Sequence, residues 1–124
     1  MIALFSLLLG CFLGGTARYF VSGVVGRRIG ETFPWGTMTV NVLGCFLIGS
    51  AAGAAWGSDP DLWRPAVTGF LGSFTTVSSF SLQTLALARD GERRWAVANA
   101  VGSMALSIPI CLAGLGVGRW LAGA

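Results

Sequence analysis

Hydroxyls and glycines crowd the stretch Gly69-Phe70-Leu71-Gly72-Ser73-Phe74-Thr75-Thr76-Val77-Ser78-Ser79-Phe80-Ser81, inside a run otherwise apolar enough to cross a bilayer. The chemistry these side chains support is hydrogen bonding without charge. Bilayer hydrocarbon offers no water to satisfy a freed N–H, C=O or O–H, so irregular polar backbone persists at that depth only where it is buried in protein or lines an aqueous path. The segment therefore reads as a pore element. Further neutral donors stand on two other apolar runs, Thr37, Thr39 and Asn41 on one and Asn99, Ser103 and Ser107 on the other. The last three recur every four residues, a spacing that draws one slowly rotating stripe along a helix. A single Ser or Thr can instead turn back onto the i−4 carbonyl and serve only its own helix, a reading that weakens for a set spread over three runs.

Charge inside the apolar runs is scarce, and that scarcity separates transport mechanisms. Arg18 is the one ionisable residue clearly within a run. Its position admits two roles, snorkelling to the membrane interface or placing positive charge in a vestibule that draws in anions. No Asp, Glu, His or Lys lies within any run, so a proton-coupled exchanger has no group to titrate and passive flow is the expectation. Nor is the chain expected to be an enzyme: Ser78 and Ser79 have no His to activate them, because the sequence contains none.

Positioning these groups calls for membrane helices. Of 124 residues, 54% are hydrophobic and 10% charged, with a mean hydropathy of +0.74, whereas soluble domains carry about 25% charged residues. Apolar runs cover about 2–25, 33–56, 65–88 and 95–121, each longer than the roughly 20 residues that span a bilayer as a helix. Short polar connectors separate them. The expectation is an all-α, multi-pass membrane protein of four spanning helices forming a single domain over 1–124. Trp35, Trp56, Trp63, Trp95 and Trp120 fall near the ends of the runs, where indoles favour the headgroup level. The first run lacks a basic leading segment and is too long for a secretory signal, so it is expected to stay in the protein.

A net charge of +3 is scattered over connectors and helix ends, which argues against nucleic acid as a partner. Cys11, Cys45 and Cys111 lie in different runs with no His nearby and read as small packing residues. Gly10 with Gly14, Gly49 with Gly53 and Gly114 with Gly118 stand at helical spacing, and such small-residue faces let backbones approach, either within one subunit or between subunits. Four helices fill their own centre, so a conduit implies an oligomer. Pro109 is expected to bend the fourth helix. Gly69, Gly72, Thr75 and Thr76 weaken the third and invite a break, where freed carbonyls suit a small hard cation.

Three motifs, in order, carry a family resemblance: Gly14-Gly15-Thr16-Ala17-Arg18-Tyr19, Gly36-Thr37-Met38-Thr39-Val40-Asn41-Val42-Leu43-Gly44, and Gly69 to Phe80. The chain resembles the CrcB/Fluc fluoride channels along essentially its whole length. The resemblance implies an antiparallel dimer of four-helix subunits in the plasma (inner) membrane, with the third helix broken and two fluoride pores along the interface. It implies passive export of cytoplasmic fluoride to relieve toxicity. A structural Na+ ion would be held at the centre by the backbone carbonyls of Gly72 and Thr75 from both subunits. Asn41 would be the pore amide donor, and two phenylalanines would offer ring edges to the anion. Phe80 fits the second of these, but the first position is Val77, which has no electropositive aromatic edge. With Thr76, Ser78, Ser79, Ser103 and Ser107 as the hydroxyl track and Arg18 at a vestibule, these residues form the expected site. Neutral donors suit fluoride, whose tight water shell must be replaced by ligands weak enough to release it.

Orientation adds a second expectation. The connectors after the first and third runs share a side and hold Arg27, Arg28, Arg89, Arg93 and Arg94, against Arg64 and Arg119 opposite. Such a bias favours one insertion direction, whereas an antiparallel homodimer needs both. One alternative is therefore that this chain pairs with a homologous subunit of opposite bias in a heterodimer with one degenerate pore. A small multidrug exporter is a weaker alternative, since those resemble one another in an acidic residue within the first span and none is present here. A non-conducting scaffold would show no anion flux.

Overall fold

The structure, a computed structural model, describes residues 1–30, 32–55 and 58–123. Its secondary structure is helical throughout: α1 (Ile2–Ile29), α2 (Trp35–Gly53), α3 (Pro60–Trp63), a π-helical stretch (Arg64–Leu71), α4 (Gly72–Phe74), α5 (Ser78–Arg89) and α6 (Arg93–Leu121). No strand occurs among the described residues. Trp56, expected at a span end, lies outside the described residues.

Local chemistry sets the boundaries. Asp59 caps α3 by accepting the Asp61 amide at 3.1 Å, with Pro60 at the first helical position, where its missing N–H costs nothing. Gly91, at φ +80°, ends α5 in a left-handed turn: the Glu92 amide reaches back to the Leu87 carbonyl at 2.9 Å and the Gly91 amide to Ala88 at 3.3 Å. That pair of bonds satisfies carbonyls a helix end otherwise leaves open. Arg27, Arg28 and Arg89 stand in last turns, where cations complement the helix dipole. The bend expected at Pro109 is not an interruption: α6 runs through it as a single helix of 29 residues.

α1, α2 and α6 are each long and apolar enough to cross a membrane. The run expected over 65–88 is instead divided between the π-helical stretch, α4 and α5. α2 lies along α6, and α1 packs on the π-helical stretch and α4. The paired glycines serve these internal contacts. A Cβ on Gly10 or Gly14 would run into the backbone of Pro65 or Phe70, and one on Gly49, Gly53, Gly114 or Gly118 into the facing backbone of α6 or α2. Of the two roles open to them in the sequence, the structure shows close approach within the subunit.

Ala51, Val67 and Leu71 form a small core, with Ile48, Trp63 and Phe70 packed against it. At one end Phe33 packs at a tilt against Trp35, ring centroids 4.6 Å apart, and meets Trp95 edge-on at 5.8 Å, tying the connector after α1 to the start of α6. Large apolar side chains such as Phe5, Phe12, Phe20, Leu82, Met104 and Trp120 point outward. A soluble monomer does not tolerate so much exposed hydrocarbon, and the chain is a membrane protein. Cys11, Cys45 and Cys111 are half-buried free thiols.

Candidate functional site: a helix break clamped by asparagine

Between Phe74 and Ser78 the helical ladder stops. Thr75 is extended at φ −85°, ψ 161°, so the Thr76 amide has no carbonyl one turn back to reach. Asn41, on α2, takes its place. Its Oδ1 accepts the Thr76 amide at 2.7 Å, and its Nδ2 donates to the Thr76 carbonyl at 2.8 Å. One side-chain amide thus satisfies both backbone groups of one residue, which hydrocarbon would otherwise leave unpaired at a cost of several kcal/mol. The Thr76 hydroxyl accepts the Ser79 amide at 3.1 Å and pairs with Ser78 Oγ at 3.2 Å, capping α5. Thr75 Oγ1 turns back to the Leu71 carbonyl at 3.0 Å. Gly44 makes room for this knot, since a Cβ there would strike the Thr75 methyl.

Beside the break lies a polar cavity of about 250 Å³, lined by Arg18, Tyr19, Ser22, Thr37, Val40, Thr76, Ser79 and Gln83. It shares Tyr19, Ser22, Thr37 and Gln83 with a second cavity of about 380 Å³ that extends to Gly26, Gly30 and Phe33. Together they make a groove from the break to the connector after α1. Arg18, half-buried, is the one charged group lining it among the described residues. Among the described residues, Thr37 and Ser79 donate their hydroxyl protons to no protein group, and the Gln83 Oε1 is buried without a partner. Thr39 is different: it bonds back to the Trp35 carbonyl at 2.7 Å, serving its own helix. Gln83 was not singled out by the sequence reading. It stands beyond the hydroxyl stretch that ends at Ser81, although its place one turn past Ser79 was a signal.

A second polar cluster joins α6 to α5. Asn99 is 1% exposed and donates to Thr84 Oγ1 at 2.8 Å, which donates to the Phe80 carbonyl at 2.8 Å. Ser103, one turn on, is buried with its Oγ unpartnered, and Ser107 is half-buried. Neither serine lines the groove. Phe80 is half-buried, whereas Val77 is 77% exposed. The structure therefore gathers Asn41, Thr76, Ser78 and Ser79 into one network, sets Arg18 beside it, and leaves Val77 on the surface.

No group of three His, Cys, Asp or Glu side chains suited to a metal ion occurs among the described residues. Carbonyl oxygens are the available ligands. Around the break, the carbonyls of Gly72 and Thr75 receive no backbone amide among the described residues, because Thr76 N–H goes to Asn41 and Ser79 N–H to the Thr76 hydroxyl. Gly72 is exposed and Thr75 half-buried, and carbonyls without amide partners are the kind of ligand that hard cations take.

Comparison with known proteins places this architecture. The family model described as "CrcB-like protein, Camphor Resistance (CrcB)" matches residues 5–115. A Bradyrhizobium diazoefficiens protein named fluoride-specific ion channel FluC 2 is 54% identical over 94% of this chain and 86% of its own length. A Rhodopseudomonas palustris protein of the same name is 53% identical over 92% of this chain and 91% of its own. The Rhodospirillum rubrum fluoride-specific ion channel FluC is 44% identical over 89% and 86%. On these matches the chain belongs to the CrcB family, whose relatives are ion channels and not enzymes.

Proposed function

We propose that the protein is a passive, fluoride-selective channel that releases cytoplasmic fluoride accumulated by weak-acid entry. Relatives sharing half or more of its residues bear the name fluoride-specific ion channel, and that similarity carries the reading. The groove agrees with it chemically. Its lining supplies uncharged donors and one guanidinium, with no carboxylate among the described residues, which suits desolvation of a small anion without trapping it.

In this reading two subunits pack antiparallel in the plasma membrane, and 60–89 forms the broken third of four spans. The two pores run along the interface. Asn41 keeps one Nδ2 proton beyond those engaged with Thr76 and can give it to the anion. Phe80 offers a ring edge, and Ser78, Ser79, Ser103 and Ser107 extend the hydroxyl track. Gly72 and Thr75 carbonyls from both copies hold a structural Na+, which would supply positive charge between the crossing backbones.

Proteoliposomes containing only this chain, loaded with fluoride and given a potassium shunt, test the reading with a fluoride electrode. Rapid efflux is expected, and vesicles that retain fluoride as empty ones do would end the proposal for the chain alone. The arginine imbalance, with five on one side and two on the other, favours a second arrangement in which a homologous subunit of opposite orientation completes the dimer. Labelling of engineered surface cysteines from each side separates the two, since a homodimer shows both orientations in equal measure.

A further inference from the structure

The link between Asn99 and α5 has a direction. Asn99 Nδ2 can only donate, so Thr84 Oγ1 accepts from it and spends its single proton on the Phe80 carbonyl. The order is amide to hydroxyl to carbonyl, in a place where Asn99 is 1% exposed and water does not compete. α5 packs chiefly on α6 and little on α2. Asparagines from those helices bind on either side of its first turn, Asn41 at Thr76 just ahead of α5 and Asn99 at Thr84 within it. Phe80 stands midway, four residues from each. Rotation of α5 about its axis would break one clamp or the other.

We infer that Asn99 is a positioning residue that acts through Thr84 to fix the rotation of α5 and so the direction of the Phe80 ring. The inference rests on the reading of Phe80 as a pore ring. Asn99 does not touch the ion in this account; it sets the group that does. Polarised chains of this kind strengthen each member in a low-dielectric setting, so the relay resists the small torques of ion passage better than a lone serine or threonine bond.

Three variants test it in pure proteoliposomes: Asn99→Ala, the near-isosteric Thr84→Val, and Thr84→Ser, which keeps the hydroxyl. Efflux is read alongside the ¹⁹F resonance of 4-fluorophenylalanine placed at position 80. Asn99→Ala and Thr84→Val are expected to slow efflux about five- to tenfold, as loss of one buried hydrogen bond allows, and to shift the resonance. The double variant should do no worse than either single, because both break one relay. Thr84→Ser should restore rate and resonance. Efflux and resonance unchanged in Thr84→Val, additive losses, or slowed efflux with an unmoved resonance would each overturn the inference. Should Asn99→Ala not fold, the Val and Ser variants at 84 still decide. If the wild type itself does not conduct, the pore reading fails, while the resonance still shows whether the relay sets the ring.

Discussion

Asn41 holds Thr76 by both its N–H and its C=O, so changing its side chain alters a backbone as well as the proposed ion path. In Asn41→Asp the carboxylate still accepts the Thr76 amide but faces the Thr76 carbonyl with negative charge and no proton. Fluoride efflux should be abolished, and the break should loosen, each unmade buried bond costing about 1–3 kcal/mol. Efflux from purified Asn41→Asp vesicles, with thermal stability measured in parallel, checks both. Val77 is the opposite case. It is 77% exposed, so Val77→Phe meets no steric penalty within the subunit. A ring at that position should raise throughput several-fold if a second subunit covers it. An unchanged rate and selectivity would place position 77 away from the path.

At the scale of elements, the helix packing depends on glycines that look alike in sequence but not in space. A Cβ on Gly114 would collide with the Phe46 carbonyl, whereas Gly116 has nothing within 4 Å. Gly114→Ala should cost about 1–3 kcal/mol by overpacking and Gly116→Ala nearly nothing, as read from unfolding in detergent. Spacing marked Gly10, Gly14, Gly49, Gly53, Gly114 and Gly118 as contact faces, yet could not say whose backbone they met. The long helices were legible because hydrocarbon length is written in apolar residues. The third run was less so: Gly69 and Gly72 stay helical, and the ladder fails only at Thr75, where Thr75 and Thr76 hydroxyls compete for backbone partners. Asn41 and the hydroxyls of 75–79 stood out as polar groups in apolar surroundings. Gln83 and Thr84 did not, since they fall beyond the hydroxyl cluster and outside the three motifs.

For the whole molecule, two surface features stand out: carbonyls at the break without amide partners among the described residues, and a largely apolar exterior. If two copies share a Na+ through Gly72 and Thr75, exchange of sodium for a large organic cation during purification should destabilise the dimer and reduce efflux. Sedimentation in detergent, with and without sodium, measures the first effect. Equal dimer content in both would remove the ion from the account. The Asn41 clamp has one further consequence, for biogenesis. A chain delivered to the bilayer from its N-terminus brings α2 before the residues of the break, so the partner that quiets Thr76 already waits in the lipid when that segment leaves the insertion machinery. The leading half of the polypeptide thereby acts as a built-in escort for the trailing half, and reversing the order of synthesis would strand an open stretch of main chain in oil.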